Sequence, residues 1–150
     1  MQAFKNILVV SRSTHHCLEA LSTGISLARK YGAKLHILHV IHDPFNMEGW
    51  NLPAPTFQKE FDNMVENAKR DLHQMVELEK AEGMEISEQV REGEPFDEIR
   101  SIVESRRIDL IIMLAHQEGR LEHFLFGKTN ERIIRQLPAT LMLVKTDSSS

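Results

Sequence analysis

Cysteine is almost missing from this chain. Cys17 stands alone among 150 residues, so no internal disulfide can form and a reducing cytoplasm is the expected setting. Missing too is any apolar stretch near the roughly 18–20 residues that a membrane helix requires, which argues against a membrane partner. Residues 1–5 run straight into a short apolar stretch without the features of a secretory leader, and none is expected. There is no basic excess: the formal net charge is -4, whereas a nucleic-acid surface needs clustered positive charge. No G-x-S-x-G elbow, dinucleotide glycine fingerprint or recognisable Ser/His/Asp set occurs, so catalysis has no visible carrier. The expectation is a protein that is not an enzyme and holds no cofactor.

What is present is a globular composition, 41% hydrophobic and 27% charged, which favours a soluble, packed domain over disorder. Asn6-Ile-Leu-Val-Val-Ser11 and Leu110-Ile-Ile-Met-Leu114 are short, continuous runs of the kind that strands show when buried on both faces. Leu35-His-Ile-Leu-His-Val40 and Thr140-Leu-Met-Leu-Val144 read as two more strands. Residues 85–91 form a weaker one, with only Ile86 and Val90 clearly apolar, which suits an edge. Between them lie helical periodicities: Leu18, Leu21, Ile25 and Ala28, stopped by Gly32; then Phe57, Phe61, Met64, Val65, Ala68, Leu72, Met75 and Val76, stopped by Gly83. Pro95 opens a third helix with Phe96, Ile99, Ile102 and Val103 inward, and a fourth carries Ile133, Ile134 and Leu137. Five strands alternating with four helices predict an α/β, doubly wound parallel sheet. Residues 1–146 read as one domain, with 147–150 a flexible tail.

In open sheets of this kind, ligands bind beyond the carboxyl ends of the strands where strand order reverses. The loops after the first and fourth strands, residues 12–16 and 115–126, should flank that crevice. The second loop is long enough to suggest a function.

Several segments together carry a family resemblance. They are Lys5-Asn-Ile-Leu-Val-Val10, Leu27-Ala-Arg-Lys-Tyr-Gly-Ala-Lys-Leu-His-Ile-Leu-His-Val40, Val90-Arg-Glu-Gly-Glu-Pro95, Asp109-Leu-Ile-Ile-Met113, and Gly127 through Pro138-Ala-Thr-Leu-Met-Leu-Val-Lys145. In order and spacing the chain resembles the universal stress protein family along essentially its whole length. The resemblance implies a sheet ordered 3-2-1-4-5 and a homodimer formed along the last strand, Thr140, Leu141, Met142, Leu143 and Val144. An apolar strand edge with no charge before Lys145 invites such pairing independently; an edge covered by the tail is the alternative.

The ATP-binding branch of that family carries an Asp after the first strand and Gly-x2-Gly-x9-Gly-Ser/Thr after the fourth. Aligned by the flanking strands, those positions hold Arg12, Leu114, Gln117, Gly127 and Lys128. Only Gly127 matches. Cβ atoms at Leu114 and Gln117 crowd a cradle that glycine leaves open, so the chain resembles the branch with a degenerate loop, similar to tandem-domain members. If a nucleotide or small anion does bind, the resemblance implies adenine near the Arg12 backbone and Val40, and phosphates near residues 127–129. The candidate set is Arg12, Ser13, Val40, Met113, His116, Gly127, Lys128 and Thr129. Arg12, His15, His16, His116, Arg120, His123 and Lys128 form a basic grouping there, partly offset by Glu118 and Glu122; a solvated loop with internal ion pairs is the simpler reading. Gly127-Lys128-Thr129 is no phosphate loop, because Glu122 occupies its required upstream glycine.

His36 and His39 should point to opposite faces of their strand, so no metal site is expected from the eight histidines. Cys17 reads as a packing residue. Residues 45–52, with Phe45 and Trp50, are a lid, a partner patch or a packed loop. The function expected is a non-enzymatic stress-response protein, a homodimer acting through contacts with an unknown protein partner. The alternative is an adenine-nucleotide switch with slow or no hydrolysis.

Overall fold

Two uninterrupted apolar runs lie at the centre of the sheet. A computed structural model describes residues 3–11, 17–41, 54–79, 83–114 and 131–145. In it β1 (Asn6–Ser11) is buried from Ile7 onward and β4 (Leu110–Leu114) is buried throughout. Beside them run β2 (Lys34–Ile41), β3 (Ile86–Glu92) and β5 (Thr140–Val144). All pairings are parallel, in the order β3-β2-β1-β4-β5. The weakly apolar segment is indeed an edge, and β5 is the other. The tail 147–150 and the segments 12–16, 45–52 and 115–130 lie outside the described residues.

Strands buried on both faces require cover on both. α1 (Cys17–Tyr31) and α2 (Ala54–Glu79) supply one layer: Leu21, Ile25, Leu72 and Val76 pack with Ile7, Val9, Ile37 and Ile112. α3 (Pro95–Arg106) and the helical residues 131–136 supply the other, where Phe96, Ile99, Ile102 and Ile133 meet Leu8, Val10, Leu38 and Ile111. Alternation along each strand divides its apolar residues between the two layers.

Helix ends follow local chemistry. Gly32 takes φ 66 just after α1, a left-handed conformation that is cheap without a Cβ. α2 starts at Ala54, three residues ahead of the expected apolar stripe, because Pro55 suits a first turn where N–H groups lack helical partners. Glu94 caps α3, its side chain accepting a 3.0 Å hydrogen bond from the Asp97 amide. Arg107 ends α3 at φ 52 and ψ 49, its N–H bonded to the Val103 carbonyl. For a residue with a Cβ that conformation costs about 1–2 kcal/mol.

Two details depart from the periodicity. Met64 is 43% exposed and Ile134 is 67% exposed. Each adjoins a buried neighbour in sequence, Val65 or Ile133, and a rotation of about 100° per residue carries it off the buried stripe.

Gly24 is where α1 approaches the sheet. A Cβ there would lie 2.5 Å from Cγ2 of the fully buried Val9, a stiff branched side chain. In an exposed helix, Gly→Ala adds about 1 kcal/mol of stability. Here overpacking should outweigh that gain, and Gly24→Ala is expected to lower the thermal midpoint, at a cost of about 1–3 kcal/mol. An unchanged or raised midpoint would show that helix and sheet can separate freely.

Candidate functional site

The strand order reverses between β1 and β4. β1 connects through α1 to β2 on one side, while β4 leads through residues 131–136 to β5 on the other. Among the described residues the β1–β4 register runs from Ile7↔Leu110 to Val9↔Ile112, two residues short of Ser11 and Leu114. The outer ladders continue to Ser11↔His39 and to Leu114↔Val144. In open sheets of this kind the strand ends at the switch point are the usual place for a ligand.

Of the expected ligand set, Val40 and Met113 are described. Both are buried, at 3% and 2% exposure, and share the α3-side core with Val10. They lie on β2 and β4, one on each side of β1. Arg12, Ser13, His116, Gly127, Lys128 and Thr129 lie outside the described residues, as does Gln117. Leu114 is 3% exposed and belongs to the opposite, α1-side core, near Val144.

The crevice rim also holds polar groups that motif reasoning passed over. Ser11 Oγ and His39 Nδ1 are 3.0 Å apart, joining the last residue of β1 to its register partner on β2. Ser11 is 1% and His39 7% exposed, so this is a buried pair rather than an accessible nucleophile and base. A serine closing an apolar strand is a faint signal, and the adjacency to His39 arises only from register. His36 bonds Ser87 on the other face of β2, as alternation predicts. On the α3 side, the Arg132 guanidinium sits 3.9 Å from the Phe96 ring centroid and 3.8 Å from Glu94. It ties the helical residues 131–136 to the N-terminus of α3.

The chain matches the model described as "Universal stress protein family" over residues 3–145. The chain belongs to that family. A universal stress protein of Methanocaldococcus jannaschii, MJ0531, is 26% identical over 147 residues, covering 95% of this chain and 82% of the relative. Universal stress protein E of Escherichia coli K12 is 26% identical over 147 residues, 97% of this chain but 46% of the relative. This chain therefore spans about half the length of that second relative. Among solved structures, UspA from Lactobacillus plantarum superposes with a TM-score of 0.78 at 20% identity, over 96% of this chain and 99% of that one. A universal stress protein in complex with cAMP gives 0.63 at 19% identity, over 95% and 98%. One from Archaeoglobus fulgidus in complex with dAMP gives 0.64 at 17%, over 96% and 100%. At these identities the superpositions speak to the shared fold alone.

Burial lowers the pKa of the crevice histidine, His39, from the ordinary 6.5, because a charged ring there would be desolvated. The unfolded chain then binds more protons than the folded one as pH falls through 6.5. Stability is therefore present above that value and declines below it. Replacing His39 with Gln should flatten part of this decline in denaturant titrations run from pH 7.5 to about pH 5. An equally steep decline in the variant would place the titrating groups elsewhere.

Proposed function

We propose that this universal stress protein acts as a non-enzymatic, cytoplasmic regulatory homodimer, with residues 1–146 working as one unit that meets its protein partners directly. The observation that carries this reading is the β5 edge. Among the described residues β5 pairs with β4 alone, so its other side is an outer edge of the sheet, and Leu143 is 44% exposed. Unpaired backbone groups beside exposed apolar side chains favour pairing with an equivalent strand. A second copy would also bring together two such units, matching in size the longer relative of Escherichia coli.

The second reading is an adenine-nucleotide switch. The complexes of two structural neighbours with cAMP and dAMP favour it. Weighing against it, Leu114 stands at the first glycine of the phosphate-binding pattern and fills core space, and Lys128 replaces the hydroxyl residue. Backbone amides approach phosphate most closely where no side chain intervenes.

Native mass spectrometry of freshly purified protein, with and without Mg-ATP, separates the two. The expected result is a dimer mass without adduct in both samples; a nucleotide-sized adduct would replace the first reading with the second. Leu143→Glu should shift the mass to monomer while far-ultraviolet circular dichroism stays unchanged, because like charges meet across a two-fold edge. A dimer that survives Leu143→Glu would move the interface away from β5.

A further inference from the structure

The amino-terminal edge of the sheet, opposite the crevice, holds a separate pocket of about 400 Å³. The first residues of β1, β2 and β3 and the end of α3 surround it. Its walls include Lys34, His36, Ser87, Ser105, Arg106 and Arg107. Three of these are cations, and the one lining carboxylate, Glu85, stands 3.9 Å from Lys34. The end of α3 contributes roughly half a negative charge, which does not cancel the surplus.

His36 is 9% exposed. Its Nδ1 lies 2.8 Å from Ser87 Oγ, while Nε2 has no hydrogen-bond partner. Among the described residues no other buried side-chain nitrogen or oxygen is in that state. Buried polar atoms are seldom left unpaired, and one that lines a cationic pocket points to a missing acceptor. When the Ser87 hydroxyl donates to Nδ1, Nε2 carries the proton and is a donor.

Arg107 adds an independent observation. It occupies the left-handed position after α3, where glycine would be unstrained. Its backbone is held there by the Val103 carbonyl and by Asn6, whose side-chain amide donates to the Arg107 carbonyl at 3.5 Å. Strain retained at a pocket wall is a mark of a functional position.

We infer that this pocket binds a small phosphate-bearing molecule, its dianionic group held by Arg106, Arg107 and Lys34 with one oxygen accepting from His36 Nε2. Guanidinium groups match phosphate oxygens in geometry and charge. Nε2 is shielded from water, so the anion reaches it by displacing a neighbouring side chain.

The test is a titration of the full chain with inorganic phosphate and with pyrophosphate, followed by calorimetry and by amide proton–nitrogen NMR. Expected is saturable binding of one equivalent, with shifts concentrated at the Ser87, Ser105 and Arg107 amides. Arg107→Gly should raise Kd roughly tenfold or more, the loss of one charge-assisted contact. Its thermal midpoint should hold or rise, since the strain goes with the side chain. Arg106→Gln, at a position of ordinary helical geometry, should weaken binding similarly. Failure of both probes to saturate by about 10 mM would overturn the site. So would a Kd unmoved in both variants, or shifts confined to Val10, Ser11, Met113 and Leu114 at the other edge.

Discussion

The whole arrangement depends on keeping water off both faces of β1 and β4. Their side chains from Ile7 to Val10 and from Leu110 to Leu114 are at most 3% exposed, and such strands are stable only between two helical layers. α1 and α2 cover one face, so the chain must cross beyond β1 through α3 to cover the other. That crossing places β4 next to β1 and reverses the strand order. The switch point, and the crevice it creates, thus follow from a burial requirement before any ligand is considered. The closeness of the α1 layer, with Gly24 against Val9, is part of the same demand.

The two ends of the sheet differ in chemistry. At the carboxyl end, buried apolar walls and the Ser11–His39 pair stand beside charges that are paired with one another, Arg91 with Glu98 and Arg132 with Glu94. At the amino end, Asp109 accepts hydrogen bonds from the Lys5 and Asn6 amides at 2.8 and 3.2 Å, tying the start of β1 to the turn before β4. Beside that tie the cationic residues of α3 and β2 gather around His36. Strand starts and helix ends meet there, so isolated charges from distant segments become neighbours.

Much of the architecture was legible from residue patterns because burial leaves a periodic signature. Each strand was recognised within a residue or two of its bounds, and the edge position of β3 followed from its sparse apolar content. Met64 and Ile134 were misplaced because each adjoins a residue on the buried stripe, and apolarity alone does not say which of two neighbours faces inward. The candidate site was less legible. Val40 and Met113 were placed through family resemblance. Ser11 with His39, and His36 with Ser87, are pairs separated by 28 and 51 residues, and no local pattern marks them.

Sequence by itself determined the fold class, the element order and the family, since apolar periodicity and turn chemistry act over a few residues and survive in one dimension. Tertiary structure alone decided which side chains meet. Parallel register sets Ser11 against His39, and the crossover brings the end of α3 to the starts of β1, β2 and β3. Cross-strand register and helix docking are long-range outcomes, and they bring scattered histidines and arginines together.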